Sequence, residues 1–152
     1  MAAIEEWGNA TWYLFHTLAF KLKEEYNDII PELCNHIVQI CRHLPCPDCR
    51  SHATQTLANC RKGNIKSKEN LIIFLLQFHN IVNQRLKKPL FSREEHDKLY
   101  SRANTRLIVS NFSIIMSKNA NNSKAMLDTF SRKRVVSQFL NYIYSVHFKF
   151  NP

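Results

Sequence analysis

The sequence predicts an all-helical fold. Apolar residues recur at helical spacing in five successive segments, start and stop signals bracket those segments, and glycine occurs only twice in 152 residues, too rarely for the turns of a sheet-rich chain. A chain of this length can bury one core with appendages, but not two.

Ile4, Trp7, Thr11, Phe15, Leu18 and Leu22 follow i, i+3, i+4, i+7 spacing and predict a first amphipathic helix that ends before Tyr26-Asn27-Asp28. Ile30, Leu33, Ile37, Ile40 and Leu44 repeat the pattern, with Pro31 allowed in the first turn and Pro45 stopping the run. Pro47 stands just inside a third start, with Cys46 at the N-cap position and Ala53, Thr56 and Leu57 on the apolar side. After the Gly63-Asn64 turn, Ser67 opens a long fourth helix through Leu71, Leu75, Phe78, Val82 and Leu86, closed by Pro89. Ser92 with Glu95 three residues later has the capping-box pattern, for a short fifth helix to about Arg102. Beyond it, Leu107-Ile108-Val109 and Ile114-Ile115-Met116 suit either a helix or a strand. Val136, Leu140, Ile143 and His147 read as helical, and Asn119-Ala120-Asn121-Asn122 as a loop. No internal repeat or long low-complexity segment is present.

The net charge of +9 is uneven: residues 1–100 carry 13 Lys+Arg against 11 Asp+Glu, and residues 101–152 carry 8 against 1. Two regions with different tasks are implied. Met1 to Asn9 contains Glu5 and Glu6 and lacks the basic and apolar stretches of a signal peptide, and no apolar run is long enough to span a bilayer. A non-secreted protein is therefore expected, and its five cysteines read first as redox or metal chemistry.

Three constellations carry that chemistry. Cys46-Pro47-Asp48-Cys49 lies at a helix start, where the electropositive N-terminus and nearby Arg42, His43, Arg50 and His52 favour a thiolate at Cys46. The same region allows a zinc site built from Cys41, Cys46, Cys49 and His52 or His43, and for an isolated Cys-x-x-Cys the two readings stand about level. A thioredoxin-like setting needs a preceding strand, which the pattern lacks. On the fourth helix, His79, Asn80, Asn83 and Lys87 form a polar stripe beside Leu75, Phe78, Val82 and Leu86; it suits either a solvated face or a cofactor with a fused ring and a diphosphate. On the first helix, Trp12 and His16 are i, i+4 neighbours, while Trp7 and Phe15 read as core.

Taken together, these segments resemble the Erv/ALR family of FAD-linked sulfhydryl oxidases, especially the short forms of large DNA viruses, over roughly residues 6 to 102. The likeness rests on Trp-Gly-x-x-x-Trp-x-x-x-His-x-x-Ala from Trp7, Leu-Pro-Cys-Pro-Asp-Cys-Arg-x-His-Ala from Leu44, and His-Asn-x-Val-Asn-x-Arg-Leu-x-Lys-Pro from His79, in the family's order. It implies a four-helix bundle with a short fifth helix over residues 1–102, gripping FAD, with residues 103–152 a basic, helical extension packed on or near the bundle. By matched position it implies that Cys46 and Cys49 are catalytic. Gly8, Trp12 and His16 would contact the cofactor from the first helix, Cys49 from the third, and His79, Asn80, Val82, Asn83, Arg85 and Lys88 from the fourth; Tyr100 stands where the family often has a tryptophan.

The implied activity takes electrons from a protein dithiol through Cys46-Cys49 to FAD and then to oxygen, giving hydrogen peroxide. The resemblance further implies a homodimer paired through the apolar side of the first helix, with no membrane span, no nucleic-acid partner, and a place in the host cytoplasm or virion if the source is viral. The alternative is a zinc-stabilised binding module with a basic tail for an acidic partner or nucleic acid.

Three departures from the family stand out. Longer members carry a second cysteine pair on a terminal arm, whereas residues 1–33 and 61–152 here contain no cysteine. Cellular members join the third and fourth helices by a disulfide; Cys60 stands near the first position, but Leu76 occupies the second. Cys34 and Cys41, seven residues apart on one helix, would lie about 10 Å apart and cannot pair with each other, so both are expected as buried thiols. The segment after Arg102 has no counterpart in the minimal domain, and its Arg132-Lys133-Arg134 cluster is expected on a solvated face.

Overall fold

A computed structural model describes residues 4–59, 62–118 and 126–152, and within them the fold is all-helical. Seven α-helices are present among the described residues: α1 (Ile4–Lys21), α2 (Ile30–Cys41), α3 (Pro47–Ala58), α4 (Lys68–Arg85), α5 (Arg93–Ser101), α6 (Thr105–Met116) and α7 (Met126–Val146). The only extended pairing among the described residues is an isolated antiparallel bridge between Leu22 and Phe150. Asn119–Asn122, read above as a loop, and Cys60, left without an assigned role, lie outside the described residues.

The starts follow the predicted chemistry. Cys46 caps α3 with its sulfur, Ser67 caps α4 through the Asn70 N–H, and Ser92 caps α5 through the Glu95 N–H. α2 stops at Cys41 rather than Leu44, because the residue before Pro45 is pushed out of the helical region and the last turn has already opened. α4 ends in a Schellman turn: Lys88 N–H donates to the Asn83 carbonyl (2.8 Å) and Lys87 N–H to the Gln84 carbonyl (3.2 Å). Lys87 thereby takes a φ of 57°, a conformation usually left to glycine.

The ambiguous tail is helical. Asn104 caps α6 by accepting the Leu107 N–H at 3.0 Å, and Val109, Phe112, Ile115 and Met116 turn inward while Leu107 and Ile114 face solvent. The extension shares one core with the preceding helices: Phe112 and Phe139 are fully buried and meet edge to face at 5.9 Å. α1 packs against α4, α5 and α6, while α2 packs against α3 and α7. The last residues run beside the end of α1, with Lys23 N–H donating to the Lys149 carbonyl and Asn151 N–H to that of Lys21.

One expectation for the tail is overturned. Arg132 is not on a solvated face: it is 3% exposed and its Nε donates to the His43 carbonyl at 3.2 Å, because α7 lies against the end of α2. Arg134 does face solvent.

If the extension belongs to the same cooperative core, Phe112→Ala and Phe139→Ala should each destabilise the whole chain by about 3–5 kcal/mol. Urea unfolding followed by circular dichroism checks this; a loss below about 1 kcal/mol, or a separate early transition, would mark an independent appendage.

Candidate active site

The site is built on the inner face of α1. Trp7, Gly8, Thr11, Trp12 and Phe15 line one cleft, joined by Cys41 and Leu44 from α2 and its end, Cys49 and Ala53 from α3, and Phe78, His79, Val82, Asn83, Arg85, Leu86 and Lys88 from α4 and the turn after it. The cleft encloses about 200 Å³ and opens to solvent. Its walls are mainly apolar, with Arg85 and Lys88 as cations and Glu5 as an acid at its margin.

Gly8 borders open space on α1. Glycine inside a helix costs about 0.5–1 kcal/mol relative to alanine, yet a Cβ here would meet no atom within 4 Å. No protein contact requires the glycine, and the open space it borders is the cleft.

The cysteine pair spans the cleft wall. The sulfur of Cys46 accepts the Cys49 N–H at 3.3 Å, fixing the first turn of α3, and Cys49 then faces the cleft while Cys46 is absent from its lining. Burial pushes the Cys49 thiol up to about 11, helped by the hydrogen bond and charge of Cys46 and by Asp48, with the Arg85 guanidinium opposing. Cys41, deeper in the wall, is held up at about 12 by burial alone.

Behind the cleft sits a cluster of rings. His79 stacks on Trp12 with centroids 4.1 Å apart and planes 9° apart, and His79 Nδ1 lies 2.8 Å from His16 Nε2, so one of those nitrogens donates and the other accepts. Burial, then the Lys88 and His96 charges, lowers the His79 pKa to about 4; burial, then His79 and His96, lowers His16 to about 2. Tyr100 and Phe91 close the cluster, with Tyr100 5.2 Å from the His16 ring. His16 Nδ1 and His96 Nε2 are buried with no hydrogen-bond partner among the described residues.

Gly8, Trp12, Cys49, His79, Val82, Asn83, Arg85 and Lys88 thus converge on one cleft, while His16 and Tyr100 lie in the layer behind it. Asn80 does neither: its amide donates to the Phe91 carbonyl (2.9 Å) and its oxygen accepts the Phe91 N–H (2.7 Å), pinning the loop that carries Phe91 over the histidines. Of the predicted polar stripe, Lys87 is spent in the Schellman turn. Sequence reading missed His96, although a histidine four residues before Tyr100 on a capped helix places both rings on one face. It also missed the link behind His96, where Asp97 meets the His96 ring and joins Glu69 in holding Arg93, tying α5 to α4.

The zinc alternative finds no support. Among the described residues no group of three or more His, Cys, Asp or Glu side chains is arranged to hold a metal ion. The rings of His52 and His43 turn back onto their own helical backbone, with Nδ1 at 2.7 Å from the Asp48 carbonyl and 2.8 Å from that of Gln39.

The model of the Erv1 / Alr family matches residues 9–101, which carry the cleft and the cysteine pair. The chain belongs to that family. Residues beyond 101, including α6 and α7, fall outside the match. The chain is 37% identical over 90 residues to protein 096R of Invertebrate iridescent virus 3, covering 55% of this chain and 57% of that one, and 33% identical over 91 residues to protein 347L of Invertebrate iridescent virus 6, covering 55% and 82%. Both carry names placing them among FAD-linked sulfhydryl oxidases. It is 29% identical over 103 residues to the FAD-linked sulfhydryl oxidase of African swine fever virus, isolate Pig/Kenya/KEN-50/1950, covering 64% and 82%. The chain therefore spans a little over half the length of the first of these Erv1/Alr relatives. No solved structure matches it.

Neutral, buried histidines give the Erv1/Alr fold here a pH signature. In the unfolded chain His16 and His79 protonate near 6.5; in the folded chain they resist until far lower pH, so unfolding takes up protons and stability falls as pH drops below about 6.5. For a fully buried group such as His16 the slope is about 1.4 kcal/mol per pH unit. Melting temperatures measured between pH 7 and 5 should decline, and His16→Asn should flatten the decline; an unchanged slope would show that His16 is not held neutral.

Proposed function

We propose that this chain is an FAD-dependent sulfhydryl oxidase that forms disulfides in protein substrates. The observation that carries the reading is the division of the cysteine pair: Cys49 lines the cleft whose wall includes Gly8, Trp12, His79, Asn83, Arg85 and Lys88, and Cys46 stands outside that lining. Family membership and the names of the viral relatives support it.

A substrate thiolate attacks the sulfur of Cys46 in the Cys46–Cys49 disulfide, forming a mixed disulfide and releasing Cys49 as a thiolate. A second substrate thiolate attacks the substrate sulfur of that mixed disulfide and releases Cys46, so the substrate leaves oxidised by two electrons and the pair is left reduced. Arg85, on the cleft wall with Cys49, opposes the burial that raises the thiol's pKa. The chemistry that FAD would supply when bound is acceptance of the pair's two electrons and their transfer to oxygen, with hydrogen peroxide as the product.

The residues present suit that group: Trp12, Phe15, Phe78 and Val82 offer apolar faces for the ring, Gly8 leaves room against α1, and Arg85 and Lys88 supply positive charge for a diphosphate. His16 and Tyr100 hold the lining rings from behind, and Asn80 acts as a positioning residue through Phe91. We place the protein in the host cytoplasm or virion, on the strength of its viral relatives. Leu14, Phe15, Leu18, Ala19 and Leu22 of α1 are covered by the chain's own core, so a homodimer of the kind the resemblance implies would pair through other surfaces.

Purified protein should be yellow, release FAD on heating, and consume oxygen with dithiothreitol; a colourless protein without FAD in the heated supernatant would defeat the proposal. Cys49→Ser should retain FAD and lose turnover to background in the same oxygen-electrode assay, and normal turnover would show that the sulfur roles are wrong.

A further inference from the structure

The outer face of α7 poses a question that the family domain does not answer. Inside the extension, apolar side chains such as Phe112, Val136 and Phe139 are buried, but at the start of α7 Met126, Leu127 and Phe130 are 62%, 79% and 73% exposed within little more than one turn. An apolar cluster left in water at that density marks an interaction surface.

Its location is fixed on both sides of the reactive cysteine. Asp128, between Leu127 and Phe130, pairs with Arg50 at 3.4 Å, and Arg50 N–H donates to the Cys46 carbonyl at 3.0 Å. About one turn along α7 from Asp128, the guanidinium of Arg132 reaches the His43 carbonyl, three residues before Cys46. The first turns of α7 are thus latched to residues 43 and 50, which bracket the sulfur that substrate must reach.

Charge selects the occupant. Arg42 and Arg134 are exposed around this ledge, and the chain carries a net +9, so a second copy is repelled while an acidic partner is attracted. We propose that Met126, Leu127 and Phe130 form a docking ledge for the polypeptide that carries the substrate dithiol, a segment with apolar side chains and acidic residues near its cysteines. The proposal rests on the oxidase reading above: the exchange chemistry is unchanged, and the ledge supplies affinity for protein substrates that a small thiol does not use.

The test compares the full FAD-loaded chain with its Leu127→Ser/Phe130→Ser variant by oxygen uptake. The probes are dithiothreitol, a dithiol peptide bearing Leu, Phe, Asp and Glu around its two cysteines, and the same peptide with Lys in place of the acids. The unaltered chain should prefer the acidic peptide in kcat/KM. The variant should lose about tenfold on that peptide while changing by less than about twofold on dithiothreitol. Equal effects on peptide and dithiothreitol, no effect on the peptide, or preference for the Lys peptide would overturn the ledge alone. So would light scattering that shows the two serines merely dissolving a dimer without a peptide-specific loss. Absence of uptake from dithiothreitol by the unaltered chain would instead overturn the oxidase reading, and the ledge with it.

Discussion

The burial of α1 from all sides is the constraint on which the rest of the molecule depends. Residues 14–19 are six consecutive buried positions, more than a full helical turn, so no side of α1 faces water there. Packing by α4 and α5 and by α6 holds the helix without rotational freedom, and this fixes the direction in which Gly8 and Trp12 look. A helix docked on one face alone could roll by a fraction of a turn at small cost. Here a roll would drive Leu14 or Phe15 into a filled core, where misfitted volume costs on the order of kilocalories.

That fixed frame explains why histidine can be used inside it. An imidazole buried without a charge partner must stay neutral, and neutral rings can stack and share one proton between facing nitrogens, as His16 and His79 do beside Trp12. The same desolvation acts against the chemistry at Cys49, whose thiol it holds protonated. Arg85, which lines the same cleft, opposes this shift without cancelling it.

How much of this was legible depends on whether the signal is local. Pro47 after Cys46 and Ser92 before Glu95 specify helix starts through contacts within four residues, and both starts stand where the sequence places them. The Trp7, Thr11, Leu18 spacing also read correctly as helix, but as a helix with one wet face, because nothing local announces that α6 will cover the other side. α6 itself stayed open between helix and strand, since its β-branched runs satisfy both periods and only the inward set Val109, Phe112 and Met116 decides. Lys87 gave no sign of the left-handed turn it adopts, having neither glycine's freedom nor asparagine's side chain. Asn80 looked like a ligand because its polarity needed a partner, and that partner was the Phe91 backbone eleven residues on.

Arg132 shows how the extension and the redox loop come to share one stability. A helix leaves its last carbonyls without intrahelical donors, and α2 ends directly before the segment that carries Cys46. A buried guanidinium would ordinarily be a liability, and its pKa is indeed lowered by desolvation, with Asp128 opposing. By donating to the His43 carbonyl at that helix end it gains both a hydrogen bond and the favourable field of the helix C-terminus. The loop before Cys46 is therefore closed by a residue nearly ninety positions away, so loosening α7 loosens the approach to the sulfur as well.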